Sequence, residues 1–492
     1  MCHKCNMLKV KAAFFTFILF CVFSCTKKDN EIAYDIVSDK GELNYQNAFK
    51  FLKKNAILNF HLDGNGNLIQ DSQDVDSIKL AENIMSAYNH SKSLLQQNII
   101  SEYSFINYVL PYKVNLSYDP DWRKAALSHF KWSKTNITDD KSALTACNIL
   151  NDTIRKILAF SLDNLKEDGL SFDQILQNKK GSCISFTNFV SYVCRANGLP
   201  VTTDYIPAWG NINGGHAWNS LVMNKKKSYP FEGSETNGKF EPMYLIKNKT
   251  NPKYSTYRTV PKIYRRGFIP DTSSVYIKYF KELAPLGLNF TYTDTDVTDL
   301  YTPTTKVDTK SFFKKETNLV ILSVFNTGIW IPVAAISPKH NQQVFDKIGV
   351  GGLYLISSLD KNNSNKSFCI YINKAGQIKQ FNTQKRSVIK LDRDMSIEQE
   401  QLVAIAKYGW NDYKKLEKVA EYSKSTLLDK VPYTLYCWNN GWKTMENEVA
   451  NNRTVSFRNK YEDGIYMILP EKEKINEKKR PFILIEGKVV FI

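Results

Sequence analysis

The chain reads as a multidomain α+β protein: a helical N-terminal segment, an α+β core and two C-terminal modules of β-sandwich type. Three observations predict this. At 492 residues the chain exceeds what one ordinary core accommodates, so several domains are expected. Between about residues 74 and 155, apolar residues recur three and four apart, the spacing that lines one face of a helix. After about residue 290 the texture changes to short β-rich runs separated by turn residues, and these runs occur twice. "VFNTGIWIPVAAISPKHNQQVFDKIGVGGLYLI" aligns with "YCWNNGWKTMENEVANNRTVSFRNKYEDGIYMI" at an offset of 112. This sets Trp330 on Trp442, Phe345 on Phe457, Gly352 on Gly464, Tyr354 on Tyr466 and Ile356 on Ile468. Recurrence at a fixed offset marks a duplicated module.

The first 24 residues stand outside that fold. "MCHKCNMLKVK" is basic, and "AAFFTFILFCVFSC" is an apolar run ending in a small residue and a cysteine. This is the pattern of a secretory signal, too short for a comfortable membrane span. The ending "VFSC" resembles a bacterial lipobox, which makes Cys25 the expected lipidated first residue, with "TKKDNE" as a polar tether. A plain signal peptide with an incidental cysteine is the alternative. No later stretch is long and apolar enough to span a bilayer, so anchoring is expected through acyl chains. The expected location is the cell envelope, at the outer membrane on its periplasmic or surface face. Net charge is +17. The lysines are scattered and no nucleic-acid motif is present, so the charge reads as solvated surface and not as a nucleic-acid footprint. Of nine cysteines, six follow the signal: Cys25, Cys147, Cys183, Cys194, Cys369 and Cys437. Their irregular spacing fits neither a disulfide scaffold nor a zinc site. No metal or organic cofactor is expected.

Residues 25–130 form the tether and the helical N-terminal region. "HLDGNGNLIQD" is a Gly/Asn turn. Asp63, Asn65 and Asn67 begin like a calcium loop, but the required glycine and closing glutamate are missing. Helical spacing covers 74–108, Pro111 interrupts it, and "DPDWRKAALSHFKW" restarts a helix. The core spans 131–270. "DDKSALTACNILNDTIRKILAF" is a clear amphipathic helix. "ISFTNFVSYVCRANG" reads as a buried helix stopped by Gly198, and three strands follow in "VTTDYIPAWGN", "HAWNSLVM" and "KSYPFEGS". The first β module covers 290–390, a linker of helix-like spacing covers 391–425, and the second β module covers 426–492.

The chemistry is expected at "KKGSC". A thiol with an ordinary pKa of about 8.5 becomes a better nucleophile at a helix N-terminus or beside an imidazolium. Gly181 lets the chain turn tightly, and Cys183 then opens the helix. The base would come from His216 in "GGHAWNSL", on a strand entered through two glycines. Glu232, sixteen residues on, lies where a hairpin through "NKKK" returns, and could orient the imidazole. Cys194, eleven residues after Cys183 on the same helix, is read as structural. His61, His90, His129 and His340 lack a comparable context.

"GSCISFTNFVSYVCRANGLPV…HAWNSLVM…YPFEG" resembles the transglutaminase-like superfamily, which has a papain-like cysteine-hydrolase core. "CRANGLP" and "HAWN" carry the resemblance, which spans about 105–270. The flanking "DYIPAWGN" and "PKIYRR" look like lipoproteins of that superfamily from Bacteroidetes-type bacteria. The resemblance implies Cys183 as nucleophile, His216 as base and the acid position at Glu232. Two departures stand out: the acid is glutamate in place of aspartate, and Tyr229 stands where tryptophan is usual. Glu235 or Asp204 are alternatives for the third member. An oxyanion hole would use the Cys183 backbone N–H, with Gln177, six residues upstream, or Asn211 as second donor. Trp209 and Trp218 either wall the cleft or pack in the core. In the β modules, Trp330, Trp442, Tyr354 and Tyr466 read as core sooner than as glycan-stacking platforms.

The function so implied is cysteine-dependent acyl transfer from an amide through a thioester at Cys183. Water as acceptor makes a peptidase or amidase, and an amine makes a cross-linker. The partners expected are a peptide, protein or glycopeptide substrate and the membrane. The alternative is a catalytically inactive surface lipoprotein that binds peptide or glycan in the same cleft.

Overall fold

The computed structural model describes residues 35–63, 65–131, 137–161, 170–231, 259–288, 291–359, 366–381, 384–392, 427–475 and 479–492. The first 24 residues, read as a signal, and Cys25, Glu232, Glu235 and the stretch of helix-like spacing from Ser396 lie outside them. Among the described residues no helix is long and apolar enough to cross a membrane. The chain divides into two compact units. The described residues of the first fall within 35–204, 217–231 and 266–271. Those of the second fall within 205–216, 259–265 and 272–492.

The first unit opens with helix α1 (Tyr45–Ala56), capped by Asn44, and the hairpin β1 (Phe60–Leu62) and β2 (Leu68–Gln70). The stretch that resembles a calcium loop is the turn of this hairpin. Asp63 Oδ1 accepts from the backbone N–H of Asn65 and Asn67 at 2.9 and 2.7 Å, an Asx turn. His61 is a satisfied buried histidine between Asp71, at 2.9 Å, and Asp74, at 3.1 Å. Helix α2 (Asp71–Asp74) leads to α3 (Ser77–Gln96), α4 (Glu102–Tyr108) and α5 (Trp122–His129). The continuous helical spacing over 74–108 is thus broken between Gln96 and Glu102, where Asn98 adopts φ +54° and Ser101 caps the next helix.

Helix α6 (Asp140–Arg155) begins in a capping box made by Asp139 and Ser142. The short strand β3 (Ala159–Phe160), α7 (Phe172–Asn178), β4 (Lys180–Gly181) and α8 (Cys183–Ala196) follow. Helix α8 is apolar on most faces because it is surrounded: it packs on α3, α5, α6 and α7. Phe172 stacks on Phe189 at 4.8 Å, and Trp122 meets Tyr192 edge-on at 5.2 Å. Strands β5 (Val201–Ile206), β6 (His216–Asn224) and β7 (Lys227–Phe231) come next, in the order β7–β6–β5, with β6 and β7 an antiparallel hairpin.

In the second unit, β8 (Tyr264–Arg265) pairs with β9 (Thr295–Asp296). Two β modules then repeat one plan. The first holds β10 (Thr304–Asp308), β11 (Val320–Asn326), β12 (Ile329–Ile336), β13 (Val344–Gly349), β14 (Gly352–Ser358), β15 (Ser367–Ile372) and β16 (Ile378–Gln380). The second holds β17 (Arg386–Leu391), β18 (Pro432–Trp438), β19 (Trp442–Val449), β20 (Val455–Glu462), β21 (Gly464–Pro470), β22 (Phe482–Ile485) and β23 (Lys488–Phe491). The five-stranded sheets run β12–β11–β14–β15–β16 and β19–β18–β21–β22–β23. Beside them, β10 pairs with β13 and β17 with β20.

The repeated G-x-Y has a physical cause. A Cβ on Gly352 would lie 3.0 Å from the Tyr354 ring, and one on Gly464 3.3 Å from the Tyr466 ring. Each tyrosine folds over its glycine and donates to a carbonyl, Gly349 O or Glu462 O, at 2.6 Å in both cases. Ladder register refines the gapless alignment. Val324 pairs with Tyr354 and Cys437 with Tyr466, so the first strand of the repeat runs at an offset of 113. Phe325 therefore corresponds to Trp438 and Asn326 to Asn439. The two modules join through these rings, with Phe325 on Trp442 at 6.0 Å and Trp330 on Trp438 at 5.9 Å. Trp330, Trp438 and Trp442 pack half-buried where the modules meet, and Tyr354 and Tyr466 lie buried in the core of each module.

Candidate active site

Cys183 is the first residue of α8 and is half-buried. Ser182 is the N-cap, and its hydroxyl accepts from the Ile184 N–H at 3.1 Å. Gly181 is required by crowding, since a Cβ there would sit 2.4 Å from Ser185 Cβ. Its carbonyl accepts from Ser161 N–H at 2.8 Å, and this parallel pairing of β4 with β3 fixes the approach to the cysteine. The thiol thus sits at the positive end of a fourteen-residue helix whose other end is buried.

The far end of α8 explains "RANGLP". Gly198 adopts φ +78°, and a Cβ on it would come within 2.1 Å of the His90 carbonyl oxygen. Arg195 is buried, and its Nε donates to Val201 O at 2.6 Å, tying the helix to the start of β5. Burial lowers its guanidinium to about 10. Asn219 of β6 ties the strand to the same helix, donating to Thr187 O at 2.9 Å and Ser191 Oγ at 3.2 Å. The asparagine of "HAWN" is therefore a brace between the strand and the helix that Cys183 opens. In the sequence only its place in the motif signals this role. Asp204, an alternative third member, is fully buried on β5 and accepts from Ser220 Oγ–H at 2.8 Å.

His216 is the first residue of β6 and is half-buried. The two glycines before it serve different needs. Gly214 adopts φ +80°, whereas a Cβ on Gly215 would lie 2.4 Å from Ile206 O and 2.8 Å from Pro207 O. Asn211 Oδ1 accepts from Thr259 N–H at 2.7 Å, which leaves Nδ2 as the end of that amide able to donate. Trp209 and Trp218 are 1% and 3% exposed, so both pack as core side chains. Gln177 is exposed on α7, six residues before Cys183.

Glu232 lies outside the described residues. The ladder before it runs from Asn224↔Lys227 to Asn219↔Phe231. Tyr229 Oη–H donates to Asp140 Oδ2 at 2.9 Å, and Lys227 pairs with the same carboxylate. The Lys227 ammonium, with help from Tyr229, holds the Asp140 carboxyl below its ordinary value. Tyr229 thus fastens β7 to α6.

The other thiols are shielded. Burial pushes Cys147 well above its ordinary value, with neighbouring Cys194 adding to the effect, and burial pushes Cys369 up to about 12. Cys437 is raised for the same reason. Among the described residues no cluster of three or more histidines, cysteines or carboxylates could hold a metal ion.

Residues 131–232 match the family model of the transglutaminase-like superfamily. No curated protein sequence matches the chain. Among solved structures, a candidate cysteine protease from Cytophaga hutchinsonii is similar at 15% identity, over 30% of this chain and 44% of its own length, with a TM-score of 0.19. Red sea bream transglutaminase is similar at 9% identity, over 72% of this chain and 71% of its own, with a TM-score of 0.21. This chain therefore spans less than half of the first of these structures, and scores this low carry no weight on fold. The family match alone identifies residues 131–232 as a transglutaminase-like domain, with Cys183 opening its buried helix.

Proposed function

We propose that the protein is an exported, lipid-anchored enzyme of the cell envelope that transfers the acyl group of an amide through a thioester at Cys183. One observation carries the reading: within the transglutaminase-like domain, "GSC" is a capped helix start that places a half-buried thiol as the first helical residue. Cys183 attacks the amide carbonyl, and His216 takes the thiol proton and returns it to the leaving amine. Glu232 orients the imidazole. The tetrahedral oxyanion is met by the Cys183 N–H and by Gln177 or Asn211. Water then releases an acid from the thioester, or a second amine takes the acyl group. Cys25 carries the acyl anchor at the outer membrane, and the substrate is a peptide, protein or glycopeptide.

The test is alkylation. Protein extracted from membranes is treated with iodoacetamide at pH 6 beside His216→Ala, and each cysteine is mapped by mass spectrometry. The same maps read whether Cys25 is the acylated first residue. Fast, selective labelling of Cys183 that collapses in the variant is expected. Labelling no faster than at Cys194, and unchanged in the variant, would turn the reading to a peptide- or glycan-binding lipoprotein.

A further inference from the structure

The segment that delivers His216, residues 207–215, has no helix or strand of its own. Its backbone is held by side chains from elsewhere in the second unit. Asn326, at the end of β11 and 2% exposed, donates from Nδ2 to Trp209 O at 2.9 Å, Ile212 O at 2.8 Å and Gly214 O at 3.0 Å. Its Oδ1 accepts from Gly214 N–H at 2.9 Å. Arg480, just before β22 and 4% exposed, donates from Nη2 to Gly210 O at 2.8 Å and to Phe325 O at 3.0 Å. Its Nη1 reaches Asn213 Oδ1 at 3.4 Å, and Thr327 N–H reaches the same oxygen at 3.0 Å. One amide therefore fixes both ends of the turn from 209 to 214, and one guanidinium fixes its middle.

We infer that Asn326 and Arg480 are positioning residues for His216, so that the β modules complete the catalytic machinery through the loop that carries the base. The inference rests on the reading of His216 as that base. A proton-transfer group must be placed to a fraction of an ångström. The only covalent route from this loop to the imidazole is Gly215, whose missing side chain lets it press against Ile206 O and Pro207 O. A displacement of the loop is thus passed directly to His216. The repeat supplies an internal control. Asn439 corresponds to Asn326 by ladder register, yet it is exposed on its turn. Docking is therefore a property of the first copy and not of the turn type.

The experiment measures the rate of Cys183 alkylation between pH 5 and 9 on the full chain, in wild type, Asn326→Ala, Arg480→Lys, Asn439→Ala and His216→Ala. Labelling of buried Cys147 and Cys194 is read in the same samples to report opening of the first unit. In Asn326→Ala, the rate at pH 6 should fall on the order of tenfold or more, and the inflection should move toward the free-thiol value of about 8.5. Arg480→Lys, which keeps charge but loses the planar fork, should shift the profile the same way, by less. Asn439→Ala should leave it unchanged, and Asn326→Ala should add nothing in the His216→Ala background. If Asn326→Ala exposes Cys147 or Cys194, the milder Arg480→Lys decides. A wild type with low-pH reactivity whose profile survives both substitutions overturns the inference and leaves the proposed function standing. A wild type without low-pH reactivity overturns both.

Discussion

The two β modules share strand order, the glycine under each tyrosine and a tyrosine bond of equal length, yet they treat the same hairpin turn in opposite ways. In the first copy the asparagine that opens the turn is buried and grips the loop before His216. In the second the corresponding Asn439 is exposed. The neighbouring position differs too: Phe325 in one copy, Trp438 in the other, each paired with its own tryptophan and packed on the other copy's. Architecture is thus common property of the repeat, whereas docking resides in a few residues of one copy. A duplicated sheet is held by many interchangeable contacts, so a single turn can take on a task without disturbing the strands.

The largest contrast should come from Gly349 and Tyr461, which are 112 residues apart. A Cβ on Gly349 would lie 1.6 Å from Val260 O, so β13 approaches that backbone more closely than any side chain allows. Position 461 accommodates a whole tyrosine ring. Gly349→Ala should cost about 3 kcal/mol by overpacking. Tyr461→Phe, which loses only a hydroxyl, should cost about 1 kcal/mol. Urea unfolding of both variants checks this, and equal losses would show that the first copy tolerates movement at 260. A middle-sized contrast is expected between Asn326→Ala and Asn439→Ala. The first strands buried carbonyls and should cost about 2 kcal/mol, and the second should stay within about 0.5 kcal/mol. Equal midpoints would break the distinction drawn between the turns.

The smallest contrast is in acid. Burial alone would raise the Glu446 carboxyl. The bonds it accepts from Tyr461 Oη–H and from the N–H groups of Arg458 and Asn459 outweigh burial and hold it below its ordinary value. Because the folded pKa is depressed, the carboxylate's stabilisation is complete above about 4.5, the ordinary value, and is lost as pH falls through the folded value. The residue 112 positions earlier is Ala334, which cannot titrate. The second module should therefore lose stability below about pH 4.5, and Glu446→Gln should flatten that dependence. An acid limb unchanged in the variant would remove Glu446 from the account.

What the sequence made legible was short in range. "GSC" reads as a helix start because a glycine, a capping serine and an apolar run are adjacent. "RANGLP" reads as a helix end because one glycine must turn left-handed. The repeat was visible because a glycine and a tyrosine two residues apart are needed together. The one-residue shift of its first strand was not visible, since "FNTGIW" and "WNNGW" differ by a residue inside a turn, where length changes leave no hydrophobic trace. Asn326 was equally hidden: Asn-x-Gly announces a hairpin turn in both copies, and nothing local says that one of them grips residues more than a hundred positions earlier. Arg480 is farther still. The continuous helical spacing over 74–108 concealed a break that Asn98 and Ser101 impose through backbone geometry and capping.

The bond from Arg480 to Gly210 closes 270 residues of chain. Contacts of such separation are entropically late, because a long loop must be closed before they reward the chain. During synthesis the thiol of Cys183 therefore exists for almost three hundred residues before Arg480 can complete the clamp on the histidine loop that Asn326 begins. A chain that stopped short of Arg480 would hold the loop before His216 through Asn326 alone, with the Gly210 carbonyl left for a partner still to be made, so this one late side chain marks the moment at which the loop is gripped along its whole length.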